Sequence, residues 1–504
     1  MISFTPDDEN PTPKRSLILA GGGMRVSYQA GVLKALEQTG LTFHHIDGTS
    51  GGTMNLAMLM SGLSPSQMIA RWQNLNVSDF VSLMPFREYI KLSFMPAWGD
   101  ADGIIEKVFP HLGIDVEKIN TASGLQGTFN VCNYSRKINQ VFPHHSINRN
   151  LLVAGISLPI FMPAVEHNNE LFIDSVWIKD ANLMEAVKQG AEEIYLIWCI
   201  GNHNTYHDGA FNQYVHMIEM SANGVLNLEF DWINELNKRI SNGDSPYGQT
   251  KPIELTVIKP DQPLPLDPDL YLGKITNASL IEMGYDDCHT ILQKQSQSVA
   301  FDYTATHMKN PTPGLIYNEI YRGKIKNHEK NEDINCELNL TVHIENADDF
   351  VTSGQPSARI TGLINCELFP ENSYLNKSHI RFDNVTANPA EKTAEYQLNF
   401  STDKENYKLI GEKNLRDDPG FDAWSDVTNL QIKIINQQNP DFIIASGTLK
   451  LGISEVAKLI ASFHPVYNET TAQGATLVAK FGKFLLGEYY QQYLRPTKKW
   501  WKVW

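Results

Sequence analysis

The chain is short of cysteine. It has five in 504 residues, Cys132, Cys199, Cys288, Cys336 and Cys366, and none stands at a C-x-x-C spacing. An odd, sparse set is not a disulfide framework and suits a reducing compartment. Positive charge is also scarce: 42 Lys and Arg against 57 Asp and Glu give a net charge of −15. That balance argues against nucleic acid, which needs basic surface to displace counterions. Long apolar runs are missing, and no window approaches the ~20 apolar residues that span a bilayer. Ser16–Ala20, behind Lys14-Arg15, is too short for the core of a secretion signal and leads into a glycine loop. The expectation is a cytoplasmic chain, with any membrane contact peripheral. Neither G-x-G-x-x-G nor G-K-[ST] occurs in the glycine loop, which disfavours a nucleotide-binding α/β protein.

At this length one core is not enough, so two or three domains are expected. Residues 1–15 read as a disordered lead. Leu17–Ala20 reads as a buried strand, about Arg25 to Gln38 as a helix, Phe43–Asp47 as a second strand, and Gly52 to Ser61 as a second helix. This alternation predicts an α/β fold on a parallel sheet with helices in layers on its faces. Glu193–Ile200 is a further apolar strand, and Asn277–Gln293 a further helix. Val77–Pro110 holds many large apolar residues without clean periodicity; it reads either as a lid or acyl-chain wall, or as an ordinary buried helical insertion. Near residue 325 the pattern changes. Ile334, Cys336, Leu338, Leu340, Val342 and Ile344 alternate with polar residues, which is the period of an antiparallel strand. The expected division is therefore 16–325 for the α/β domain, 326–452 for a β-rich domain and 453–504 for a helical tail. Leu477, Phe481, Phe484 and Leu485 share one face in that tail.

Three elements carry chemistry. Ser50 lies in Gly48-Thr49-Ser50-Gly51-Gly52, a G-x-S-x-G frame whose small neighbours permit a tight strand-to-helix turn. A serine hydroxyl becomes a useful nucleophile only with a base to take its proton and donors for the oxyanion. Gly21, Gly22 and Gly23 offer successive unobstructed amides that can hold an oxyanion. Arg25 can anchor that loop, face an anionic head group or form a structural salt bridge. Far downstream, Asp174 closes the strand-like run Glu170–Ile173 and can serve as the base if burial raises its pKa; most such residues merely cap turns.

Together these residues resemble the patatin-like phospholipase family. The likeness runs from about Leu17 to Leu292. It includes "YQAGVLKAL" behind the glycine loop, the "GTSGG" elbow, "SLPIFMPAV", "LFIDSVWIKDANLMEAV" and "LIEMGYDD". The resemblance implies a Ser–Asp dyad that cleaves fatty acyl esters of phospholipids or neutral lipids without a cofactor or metal. By matching position it implies Ser50 as nucleophile and Asp174 as base. Gly21, Gly22, Gly23 and Gly51 would supply the oxyanion hole. Two departures stand out. Val26 and Ser175 replace family glycines, and Val176 replaces a small residue. If those glycines supply unusual φ angles, the site would be distorted, which motivates a second reading: a catalytically weak lipid-binding or membrane-docking protein on the same scaffold. A Ser-His-Asp triad would instead need a histidine after the acid. His203, His207, His216, His289 and His307 follow it, none in a recognisable context. His203 and His207 are four apart, as metal ligands can be, but their surroundings read as a solvated loop.

The segment from about Asn335 to His464 resembles the β-rich accessory module at the C-terminal end of some bacterial sterol-oxidase-type flavoproteins and lipid hydrolases. Asp417, Asp418, Asp422 and Asp426 within it could bind calcium, with turn capping the commoner role. The chain ends in lysines interleaved with Trp500, Trp501 and Trp504. Such a tail suits a membrane interface or a groove on the protein itself.

Overall fold

The computed structural model describes residues 13–486, except 81, 92–93, 202–205, 207, 265–274, 294–297, 354, 370–371, 385–390, 403–404, 417–427 and 468–470. The expected disordered lead, His203, His207, the four aspartates between 417 and 426 and the Trp-Lys tail therefore lie wholly or almost wholly outside the described residues. The chain divides into two compact units, 1–310 and 311–504.

The first unit is built on an eight-stranded sheet. Its strands are β1 (Arg15–Leu19), β2 (His45–Thr49), β3 (Gln126–Asn133), β4 (Ile138–Pro143), β5 (Val165–His167), β6 (Glu170–Ile173), β7 (Glu193–Ile197) and β8 (Glu254–Ile258). The order is β5-β6-β3-β2-β1-β7-β8, with β4 also on β3. From β3 to β8 the pairs are parallel. The expected parallel sheet is present, and at one side it is extended by β4, β5 and β6, which pair antiparallel. The cause is local: a four-residue turn joins β3 to β4 and a two-residue turn joins β5 to β6, and connections that short can only reverse the chain. Asn168 and Asn169, at the tip of β5–β6, have φ of 50° and 64°, the left-handed pair that a type I′ hairpin turn demands.

One face of the sheet (Ile18, Leu196, Trp198, Leu255, Val257) packs with Leu226, Phe230 and Ile233 of a 32-residue helix, Ala210–Ser241. Sequence reading did not anticipate this helix, because His216, Glu219 and Glu229 are buried on its inner face and blur the apolar period. Helix α1 (Ser27–Thr39) packs against the helix Asn277–Gln293 through reciprocal glycines. A Cβ on Gly31 would meet the Ile281 carbonyl oxygen at 1.9 Å, and one on Gly284 would meet that of Tyr28 at 2.1 Å. Helix α2 (Gly51–Met60) follows β2, and α3 (Pro65–Gln73) is closed by a capping box from Ser64 and Gln67. The stretch beyond is mixed: the helical pieces Ile104–Val108 and Phe109–Leu112 at its end bury Ile104, Val108 and Phe109, and the part before them is largely exposed. That earlier part forms single helical turns at Val77–Phe80 and Phe86–Tyr89, and Leu83, Phe86, Ile90, Phe94 and Trp98 are all exposed.

The second unit is a closed barrel. Eight antiparallel strands run up and down: β9 (Gly314–Asn327), β10 (Glu332–Ile344), β11 (Ser357–Cys366), β12 (Ser373–Asn384), β13 (Glu391–Ser401), β14 (Asn406–Arg416), β15 (Asn429–Asn436) and β16 (Asn439–Lys450). Pairing of β16 with β9 closes the ring, and β17 (His464–Val466) adds to the start of β9. Here the expected boundary at 325 moves back, since β9 begins at Gly314. Its inward set includes Glu319, so the strand does not alternate cleanly in polarity. The expected helical tail is present as the helices Ile453–Ala461 and Thr471–Leu486, and it packs onto the barrel. Val456, Leu459, Leu477 and Phe481 belong to the barrel's own core, and Phe484 packs against it.

Candidate active site

Strand register delivers the two expected site residues to one place. Parallel β2 sets Thr49 beside Asn130 of β3, so the next residue, Ser50, falls level with Val131. Antiparallel β6 sets Ile173 beside Cys132, so the next residue, Asp174, also falls level with Val131. Their hydroxyl and carboxylate meet there: Ser50 Oγ donates to Asp174 Oδ2 at 2.6 Å.

Ser50 is held unusually. Its φ is 51° and ψ −128°, a conformation that costs a non-glycine residue roughly 1–3 kcal/mol and persists only where the surroundings impose it. The small neighbours impose it here. A Cβ on Gly52 would lie 2.1 Å from the Leu19 carbonyl oxygen, and one on Gly51 would lie 2.6 Å from that of Gly23. Helix α2 can therefore sit on the end of β1 only if both are glycine. A serine at a helix N-cap ordinarily turns its hydroxyl onto the second or third helical amide. Ser50 makes no such cap; its hydroxyl points away, to Asp174.

Asp174 is almost fully buried. Its Oδ1 accepts from the Val176 amide at 2.9 Å, and its own amide donates to the Ser157 carbonyl at 3.0 Å, which ties it to the "SLPIFMPAV" segment. Burial pushes its carboxyl up to about 7, against the opposing pull of the Ser50 hydroxyl and the Val176 amide. A carboxylate so tuned can accept a proton near neutrality.

The glycine loop lies against the serine: a Cβ on Gly21 would meet Ser50 Cβ at 2.8 Å. Its amides are not equivalent. The Gly21 amide donates to Asp180 Oδ2 at 3.1 Å, so it is engaged within the protein. Gly22 has a φ of 153°, at the edge of the range that favours glycine. Gly23 and Gly51 begin helical turns, where amides have no intrahelical acceptor. Of the four amides expected to face an oxyanion, that of Gly21 is therefore already taken by Asp180. Arg25 acts as the loop's anchor, its Nε donating to the Gly22 carbonyl at 2.9 Å.

Residues not singled out from sequence complete the frame. Trp72 Nε1 donates to Asn55 Oδ1 at 2.8 Å. Asn55 in turn donates to Gln29 Oε1 and the Val26 carbonyl, and Gln29 donates to the Ala20 carbonyl. This buried chain fixes both ends of the glycine loop. Asp180 was equally invisible. Its carboxyl is raised well above the usual range, by burial first and by Asp174 second. Only their polar character at otherwise apolar helix positions could have flagged Gln29 and Asn55.

Neither family departure disturbs the backbone. Val26 has a φ of −66°, and neither Ser175 nor Val176 is among the described residues with positive φ. The histidine alternatives also lie elsewhere. His216 pairs with Glu219, His289 contacts Gln38, and the carbonyl of His307 accepts from Lys259.

The family model for patatin, described as patatin-like phospholipase, matches residues 17–187. The match covers about a third of the chain and marks that span as similar to a patatin-like phospholipase domain. It contains Ser50, Asp174, both glycine segments and six of the sheet's eight strands; members of this family usually hydrolyse lipid esters. No curated protein matches the chain. A solved structure, VipD from Legionella pneumophila, aligns at 11% identity over 57% of this chain and 68% of its own, with a TM-score of 0.28. No helix among the described residues is long and apolar enough to cross a membrane. Beside the patatin-like site, Trp177, Tyr214, Phe161 and Trp98 form a continuous file of edge-to-face rings at 5.3 to 5.5 Å. It begins three residues after Asp174 and ends at the exposed Trp98.

Proposed function

We propose that this chain is a serine-dependent lipid acyl hydrolase that works through Ser50 and Asp174 and needs no cofactor. The observation that carries this reading is the 2.6 Å hydrogen bond between them, made by a serine in a strained turn. Ser50 Oγ attacks the ester carbonyl as Asp174 takes its proton. The oxyanion is held by the amides of Gly22, Gly23 and Gly51. As the intermediate collapses, the ester C–O bond breaks and Asp174 returns the proton to the leaving alcohol. A water, deprotonated by Asp174, then releases the fatty acid from Ser50. Arg25 holds the loop in place through the Gly22 carbonyl. The file of aromatic rings and the exposed Phe86, Phe94 and Trp98 support an acyl substrate presented by a lipid surface.

The test is fatty-acid release from a panel of phospholipids, glycerides and sterol esters, with wild type beside Ser50→Ala. Release that disappears in the variant supports the hydrolase and names its substrate class. Equal release from both overturns it. The other reading, a weakly active lipid-binding protein, was motivated by Val26 and Ser175, whose ordinary backbone angles now weaken it. A fluorophosphonate separates the two: a live site is labelled at Ser50, a dead one is not. Peripheral membrane contact through the C-terminal Trp-Lys residues is a separate proposal. Deleting 497–504 should weaken binding to anionic vesicles more than hydrolysis of a soluble ester.

A further inference from the structure

Cys336 and Cys366 are 30 positions apart in sequence, yet they stand directly opposite each other on β10 and β11. The kind of pair matters. The Glu367 amide donates to the Asn335 carbonyl at 3.1 Å, so the neighbouring pair 335–367 is the hydrogen-bonded one. Cys336–Cys366 is then a non-hydrogen-bonded pair, in which the two Cα atoms come within about 4.5 Å and the side chains approach most closely. A disulfide needs Cα atoms roughly 4.4–6.8 Å apart and Cβ atoms on the same side. Both conditions hold, because directly opposed residues share a face. Each cysteine is buried in the barrel's core cluster. Gly323 faces Cys336 across the other edge of β10, and the Cys366 carbonyl accepts from the Phe369 amide at 2.9 Å, so the site lies where the chain turns.

We propose that Cys336 and Cys366 form a paired thiol site that closes into a cross-strand disulfide on exposure to a hydroperoxide. The two thiols face each other across the strand pair and interact electrostatically. Contact with Cys366 and burial raise the Cys336 thiol, whereas contact with Cys336 lowers that of Cys366. Cys366 is therefore the attacking sulfur, since the thiolate is the nucleophile. Its thiolate attacks one peroxide oxygen, the O–O bond breaks, and the departing oxygen leaves as an alcohol or water, giving a sulfenic acid on Cys366. Cys336 then attacks that sulfur, the S–S bond forms, the S–O bond breaks and water leaves. Two thiols are oxidised and one hydroperoxide is reduced. The other cysteines differ. Burial pushes Cys132 up to about 11 and Cys199 up to about 12, which makes them poor nucleophiles. This inference is independent of the hydrolase reading.

The experiment uses the folded full-length chain. It is treated with hydrogen peroxide, then unfolded, alkylated with N-ethylmaleimide and digested. The expected result is a single linked peptide pair, Cys336 to Cys366, two hydrogens lighter than the free thiols and separated by a reductant. Cys132, Cys199 and Cys288 should remain alkylated. Cys336→Ser and Cys366→Ser should each abolish the link. A chain unfolded in urea before oxidation supplies the comparison and should give mixed pairings. The proposal is overturned if the folded chain yields Cys336 and Cys366 separately alkylated or separately oxidised. It is equally overturned if the 336–366 link is no more abundant from folded than from unfolded protein.

Discussion

Asp174 does two things that conflict, and its burial is the reason. As a base it must ionise; as a buried group it resists ionising. With its carboxyl raised to about 7, kcat/KM should climb with pH and level off above a midpoint near 7, a profile read from initial rates on a soluble ester. Stability should run the other way. The folded pKa is above the unfolded one, so this residue's contribution is fully present below about pH 4 and is lost as pH rises through about 7. Denaturation of Asp174→Asn beside wild type should therefore show the variant gaining relative stability from pH 5 to pH 8. Its hydrolysis, like that of Ser50→Ala, should fall by on the order of 10³-fold or more. Gly51→Ala would force a methyl into the Gly23 carbonyl and Val26, costing about 1–3 kcal/mol as overpacking does. It should lower kcat, because the Gly51 amide would shift. The serine, the aspartate and the glycines were legible in sequence because each sits in a short motif. Asp180, which engages the Gly21 amide, was not, since what distinguishes it is a contact 159 residues away.

Among whole elements, legibility followed periodicity. The strands β1 and β2 and the helices that follow them were readable because their apolar runs are bounded by glycine. β9 was misplaced, and the helix Ala210–Ser241 missed, because each buries charged residues among its apolar ones. The barrel shows what such burial involves. Glu319 and Lys413 lie inside it, 4.0 Å apart. Tyr396 donates to Glu319 at 2.9 Å, and Lys413 donates to Tyr321 at 3.1 Å. Burial pulls the Lys413 ammonium below its usual pKa, while Glu319 pulls it back up. Lys413→Met leaves Glu319 uncompensated and should cost the barrel about 3 kcal/mol, whereas Glu319→Leu with Lys413→Met should recover most of it. Urea titration of both variants measures the difference.

On the scale of the whole molecule, each unit has its own sheet and its own core. The strands of the barrel close on themselves, which removes free edges. Residues 311–504, made alone, should fold cooperatively, and residues 1–310 should keep hydrolysis of a soluble ester; circular dichroism and ester assays check each. Loss of all activity from 1–310 would place part of the site in the second unit. The meeting of Ser50 and Asp174 level with Val131 has a practical consequence. Two separate strands must each find the correct partner residue on β3, and a slip of one position in either would turn its side chain to the opposite face. A misassembled molecule is therefore silent toward a covalent serine reagent. Stoichiometric labelling of Ser50 becomes a head-count of correctly assembled molecules in a preparation, and a refolding trial can be scored by it one molecule at a time.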